Sequence, residues 1–309
     1  MQPSEQTATD IIKKHYGVEA ISATRFPTGL HHYVYECLLP NGESVVVRTT
    51  TPSEKPAMTG AFQLNHQLRD LGIPLPRVYF YDLECKFPYL ILERFRGQDI
   101  GYVIQSLTNA ALECIAERLM GMQAAVAKTP SCGRFGYAAD PDAAPYTCWT
   151  DALRASLKRS RTHITQSGVV DVQYVSRVEA WLEKLAPELN RQAAIPFLHD
   201  ITTKNVIVDN GQLSGIVDVD SLCYGDPLFQ VALTKMALLS DNSPLDYIHF
   251  VLKHCGAYSE QKLFLYTAVC CVGFMGEIGQ AFNGLNESVS ADRKTHLESV
   301  FARIIKNYK

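Results

Sequence analysis

The sequence predicts an α+β chain of two lobes, a small strand-rich one followed by a larger, mostly helical one. Before about residue 94 the apolar residues fall in short β-branched and aromatic runs separated by turn residues; beyond it helical periodicity takes over. With 309 residues, 47% of them hydrophobic and 20% charged, the chain can bury a core in each lobe. The boundary divides it into 1–93 and 94–309, with a hinge at about 92–97.

The elements follow in order. Ser4 to Tyr16 reads as a helix stopped by Gly17. Ile21 to Phe26, Tyr33 to Leu39 and Ser44 to Thr49 read as strands, the last two joined by the turn Pro40-Asn41-Gly42. Thr59 to Leu71 is predicted as a helix closed by Gly72, and Val78 to Asp82 and Tyr89 to Glu93 as two further strands. In the second part helices are expected at 108–128, 149–166, 171–190 and 264–282, with Ser131 to Thr147 as the longest irregular segment. Two short strands, Asn205 to Val208 and Leu213 to Val217, flank Asp209-Asn210-Gly211 and place Asp218 at a strand end.

Composition narrows the partners. A formal charge of -3 and a pI near 6.3 give no basic field for nucleic acid or an anionic membrane, so a small molecule is the expected partner. Nine scattered cysteines show no CxxC spacing and read as buried, reduced thiols. No secretory leader pattern is present at the N-terminus, and the apolar stretch Leu263 to Phe274 is too short to span a bilayer; the expected location is cytoplasmic.

The chemistry concentrates in Phe197-Leu-His-Asp-Ile-Thr-Thr-Lys-Asn205 and, one hairpin later, Ile216-Val-Asp-Val-Asp220. An aspartate, an asparagine and two more aspartates suit phosphoryl transfer, whose loose transition state leaves the protein to hold Mg²⁺, align a hydroxyl and neutralise phosphate charge. Asp200 reads as the base, and Asn205 and Asp218 as metal ligands. Taken alone, Asp200 with Asn205 also fits a capped turn, and Asp218-Val-Asp220 also fits the metal-binding DxD of a glycosyltransferase.

The order Asp200 to Asn205, then Ile216-Val-Asp218, then Gly225-Asp-Pro227 resembles the aminoglycoside phosphotransferases and choline kinase-like enzymes, over about residues 20 to 240. The resemblance implies a protein-kinase-like fold and an ATP- or GTP-dependent kinase acting on a hydroxyl of a small polar molecule. It implies Asp200 as base, Lys204 as a charge on the γ-phosphate in flight, Asn205 and Asp218 on Mg²⁺, and Asp220 as an outer or second-metal ligand. In the first lobe it places a phosphate-covering loop at Pro27 to His32, with Gly29 its only glycine, and Arg48 at the strand position of the nucleotide-contacting lysine. Glu93 and Phe95 then fall at the hinge, where backbone groups would read the base.

Departures from the pattern are specific. His199 adjoins Asp200 where the family histidine stands two residues before it, the predicted helix after the third strand carries Leu64 where a glutamate would pair the strand cation, and Gln230 replaces a further aspartate. Loop support is accordingly expected from Asp226. These departures motivate an alternative, a non-catalytic nucleotide-binding module of degenerate kinase fold. Two features stay outside the scheme: the basic run Lys158, Arg159 and Arg161, read as a solvated helix face, and Glu277, read as either a substrate contact or a buried structural carboxylate.

Overall fold

The computed structural model describes residues 2–26, 32–282, 285–286 and 291–306. Its contacts divide the chain into two compact units, the first comprising Met1–Arg96, Gly215–Asp220 and Ala281–Leu285, the second Gly97–Ser214, Ser221–Gln280 and Asn286–Lys309.

In the first unit, strands β1 (Ser22–Arg25), β2 (Tyr33–Leu38), β3 (Ser44–Thr49), β4 (Val78–Asp82) and β5 (Tyr89–Glu93) form one antiparallel sheet in the order β1-β2-β3-β5-β4. Alternation sorts its side chains: Tyr33, Tyr35 and Cys37 of β2, Val45 and Val47 of β3, and Tyr89 and Ile91 of β5 pack on Ala8, Ile11 and Ile12 of helix α1 (Glu5–Tyr16). The capping box of Ser4 with Thr7 starts α1, and Gly17, at φ +69°, ends it in the left-handed region that glycine enters without steric cost. Helix α2 (Lys55–Asp70) begins one turn earlier than its periodicity suggests, because Pro56 falls in the first turn, where its missing N–H costs nothing.

The second unit opens with β6 (Gln98–Asp99), α3 (Ile100–Val103) and α4 (Asn109–Val126). The segment read as irregular contains a short strand, β7 (Gly136–Ala138), which too few residues announce in sequence. Helices α5 (Trp149–Ser167) and α6 (Gln173–Leu189) follow, then β8 (Ile195–Phe197), β9 (Val206–Asp209), β10 (Gln212–Ile216) and β11 (Leu222–Gly225). The strands form two three-stranded sheets, β10-β9-β6 and β7-β11-β8. Helices α7 (Leu228–Ser240), α8 (Asp246–His254) and α9 (Glu260–Glu277) complete the core of this unit, with α9 packed on α5, α6 and α7. The last is displaced toward the N-terminus from its expected span, since Ser259 caps it and the chain leaves the helix at Ile278, which is extended at ψ 121°. A ribbon of β12 (Ala281–Phe282) and β13 (Leu285–Asn286) and the helix α10 (Ala291–Lys306) end the described chain. All nine cysteines are free, but they are not all buried as expected: Cys114 and Cys132 are exposed. No described helix is long and apolar enough to cross a membrane.

Candidate active site

The loop from Leu198 to Asn205 connects β8 to β9 in the second unit, and buried amides fix its backbone. Gln123 of α4, 7% exposed, donates from Nε2 to the Leu198 carbonyl at 2.7 Å and accepts from the Leu198 N–H at 2.8 Å. Gln230 of α7 donates to the Ile201 carbonyl at 3.4 Å and to Thr234 Oγ1 at 2.9 Å. The Gly101 N–H donates to the Thr203 carbonyl at 3.2 Å. Within the loop, Thr202 Oγ1 donates to Asp200 Oδ1 at 3.0 Å, and Asn205 Nδ2 donates to the Asp200 carbonyl at 2.9 Å.

Two consequences follow from these bonds. The Asp200 carboxylate is exposed on a rigid backbone, with one oxygen oriented by Thr202. The Asn205 amide, committed through its nitrogen, has its oxygen left to accept a bond or ligate a cation. Lys204 is exposed and acts electrostatically on Asp99, whose carboxyl burial raises and Lys204 lowers.

Support of this loop corrects one expectation. Gln230, the residue that departs from the pattern, contacts the loop itself, whereas Asp226 accepts from the Leu228 N–H at 3.1 Å and from Tyr266 Oη at 3.0 Å and pairs with Lys262 at 3.4 Å. Trp149 Nε1 donates in turn to Tyr266 Oη at 2.9 Å. Gly225 is required beside this network, because a Cβ there would lie 2.3 Å from the Trp149 ring. His199 stands with its ring edge-on to Tyr137 at 4.6 Å and parallel to Phe229 at 6.2 Å; burial and Arg159 push its pKa down to about 4, so it is a neutral packing group at pH 7.

The first unit holds the other acidic residues. Asp218 lies at φ +60°, a strained backbone for a non-glycine residue, and its side chain is 53% exposed. Arg48, on the central strand β3 and only 7% exposed, directs Nη2 to both oxygens of Asp220 at 2.6 Å and to Asp218 Oδ1 at 3.1 Å. The buried His32 donates from Nε2 to Asp220 Oδ2 at 3.1 Å. Burial opposes ionisation of Asp220, but Arg48 and His32 more than offset it and hold the carboxyl well below the usual range. Arg48 is therefore no solvated strand-end charge, and Asp220 occupies the partner role that α2, with Leu64, cannot fill. Arg48 Nε and His32 Nδ1 are buried and make no hydrogen bond among the described residues.

Glu93 extends the sheet, its N–H donating to the Arg77 carbonyl at 2.8 Å and its Oε2 accepting from the Arg77 N–H at 3.1 Å. The Phe95 ring lies on the backbone of Gly215, where a Cβ would meet it at 2.2 Å. Both residues border a cavity of about 300 Å³ with Arg69, Ile73 and Leu75. Gly29 lies outside the described residues, as does His31. Sequence reasoning named Arg48, Asp218 and Asp220 without their pairing, and missed Gln123 and Thr202; the Thr at the second position after Asp200 is the one local signal that pointed to the latter.

An antiparallel sheet unit followed by a helical unit carrying an Asp…Asn loop defines a protein-kinase-like fold. The model of the phosphotransferase enzyme family matches residues 22–257, and the chain belongs to that family, as a small-molecule phosphotransferase. Among solved structures, the GDP and kanamycin complex of APH(2")-IIia is 15% identical, with 98% of this chain and 99% of that one covered and a TM-score of 0.71. The GDP complex of wild-type aminoglycoside 2'-phosphotransferase-IIIa is 14% identical over 99% of this chain and 100% of that one, with a TM-score of 0.70. A thermostable mutant of aminoglycoside phosphotransferase APH(4)-Ia with AMP-PNP and hygromycin B is 16% identical over 97% and 98%, with a TM-score of 0.66. These likenesses show the fold. No curated protein matches the sequence. With the family established, the glycosyltransferase reading of Asp218-Val-Asp220 falls.

Proposed function

We propose that this protein moves the γ-phosphoryl group of ATP or GTP to a hydroxyl of a small polar molecule, with Asp200 as the base. The observation that carries the proposal is the rigid, exposed Asp200 carboxylate, one oxygen oriented by Thr202 and its backbone tied to Asn205. The acceptor oxygen forms a bond to the γ-phosphorus, the bond from that phosphorus to the β,γ-bridging oxygen breaks, the hydroxyl proton passes to Asp200, and the nucleoside diphosphate leaves. Aligning the hydroxyl and taking its proton contributes about 10²–10⁴-fold.

The oxygen donors fit Mg²⁺. Asn205 keeps its amide oxygen available and Asp218 is half exposed, while no group of three or more His, Cys, Asp or Glu residues among the described ones forms a ready-made metal cage. Mg²⁺ commonly takes one or two protein ligands and completes its shell with water and phosphate. Asn205 and Asp218 would hold the ion, which supplies charge neutralisation on the phosphates when bound. Asp220, already paired with Arg48 and His32, serves as the anchor of Arg48 in this reading. Arg48 then meets phosphate with a preoriented guanidinium, Lys204 adds charge near the transferring group, and the chain at Glu93 and Phe95 contacts the base. The sheet part, 1–93, handles nucleotide and the part from 94 onward the acceptor.

Calorimetry of ATP and GTP with wild type and Asp218→Asn, with and without Mg²⁺, tests the nucleotide half. Mg²⁺-dependent binding that weakens at least ten-fold in the variant is expected. No binding of either nucleotide to folded wild type would refute the assignment.

A further inference from the structure

A recess of about 490 Å³ in the second unit is lined by Tyr146, Ala155, Lys158, Arg159, Thr162 and His163. Its volume suits a small metabolite. Helix α5 builds one wall, because positions 155, 158, 159, 162 and 163 fall on one face at the spacing of a helical turn, and the small Ala155 leaves the hollow.

The charges on α5 divide by direction. Arg154 pairs with Asp151 at 2.9 Å and with Glu183 at 2.8 Å, and Arg161 pairs with Glu179 at 2.5 Å, so these two cations are neutralised by acids of α5 and α6. Lys158 and Arg159 have no ion pair among the described residues, and both face the recess, whose lining contains no carboxylate. Glu277, at the end of α9, is held by Arg293 at 4.0 Å. A concave surface lined by one sign of charge concentrates ligands of the other.

Packed residues link the wall of the recess to the loop that carries Asp200. Tyr146 bridges to Phe135 as an isolated β-pair, and its ring packs so closely on Gly136 that a Cβ there would lie 2.9 Å away. The next residue, Tyr137, puts its ring against His199, the neighbour of Asp200. Arg159 acts electrostatically on His199, and Arg159 and Asp200 both act on the Tyr137 hydroxyl.

We propose that this recess is the acceptor subsite and that it takes an anionic group, a carboxylate or a phosphate ester carried by the hydroxyl-bearing substrate, with Arg159 and Lys158 as its counter-charges. The proposal rests on the phosphotransfer reading and names its substrate class. Arg159 offers a planar fork to two oxygens of such a group and Lys158 a point charge. A polycationic acceptor would face two unpaired cations and be repelled.

The test uses the full chain with Mg²⁺ and ATP or GTP, following nucleoside diphosphate release. Three acceptor sets are compared: hydroxy acids and sugar acids, sugar and polyol phosphates, and neutral or cationic alcohols including glucose, choline and kanamycin. Turnover confined to one or both anionic sets is expected, and the set that works tells carboxylate from phosphate. The double variant Lys158→Glu/Arg159→Glu should raise the acceptor KM at least ten-fold while the nucleotide KM moves less than two-fold, a split that general unfolding would not give. Lys158→Arg/Arg159→Lys should retain most of the affinity. Turnover of neutral or cationic alcohols that charge reversal leaves unchanged or improves would overturn the proposal. So would Mg²⁺-dependent nucleotide binding with no transfer to any anionic alcohol, an outcome that spares the nucleotide half of the kinase reading. Absence of nucleotide binding removes both.

Discussion

Asp200 and Asp220 are carboxylates in different units, and the molecule treats them in opposite ways. Asp220 is 30% exposed at its side chain and its oxygens are taken by Arg48 and His32, so its charge is neutralised within the fold. Asp200 is exposed, and the structure invests in the backbone beneath it, through Gln123 and Gln230, as well as in its rotamer, through Thr202. A carboxylate that completes an ion pair holds the protein together; one that is oriented yet open to solvent is placed to act on a ligand. Asp218 lies between these cases, touched by Arg48 on one oxygen and half exposed on a strained backbone.

That contrast can be broken by substitution. If Asp200 is the base proposed above, Asp200→Asn should lower kcat about 10³-fold on an identified acceptor while leaving the denaturation midpoint close to wild type, because an exposed base contributes to rate and little to stability. A variant that loses stability and keeps its rate would reverse the assignment. Asp220→Asn should do the converse in urea, lowering the unfolding free energy by about 2 kcal/mol, because the buried Arg48 loses its two shortest charged contacts and keeps only the half-exposed Asp218. Because the folded-state pKa of Asp220 is depressed, its contribution is present above the unfolded value of about 4 and is lost as pH falls below it. The urea midpoint of the variant should therefore converge on that of wild type in acid.

Smaller effects sharpen the picture of the loop. His199 has a folded pKa of about 4, below an unfolded value of about 6.5, so the unfolded chain takes up the proton first and stability falls as pH drops from 6.5 toward 4. Up to about 3 kcal/mol is at stake, and His199→Gln should flatten that part of the pH–stability curve measured by urea titration. Thr202→Val removes one hydrogen bond to Asp200 worth about 1 kcal/mol, so kcat should fall roughly five-fold with the acceptor KM little changed. An unchanged kcat would show that Thr202 does not orient the base.

Much of the scaffold was legible because it is local. Pro40-Asn41-Gly42 forms the turn before β3, with Gly42 at φ +84°, and Ser4 and Gly17 bracket α1 as capping chemistry requires. Strands β4 and β5 have the bounds that β-branched and aromatic runs predict. The helix ends at 55 and 277 were displaced because a proline in a first turn and an exit into extended backbone at the apolar Ile278 carry weak periodic signals. Strand β7 escaped because three residues with a glycine at φ +104° carry no strand period at all.

The sequence by itself determined the family, the two-part α+β composition and the residues available for chemistry, since spacing from Asp200 to Asn205, Asp218 and Gly225-Asp-Pro227 is written in the chain. Only the tertiary structure decided how those residues are used. It pairs Arg48 with Asp220 across 172 positions, sets Gln123 against Leu198 across 75, and turns two cations of α5 toward a recess while acids neutralise two others. Charge and hydrogen-bond partnership depend on distances of a few ångströms between groups remote in sequence, and no local pattern encodes those distances.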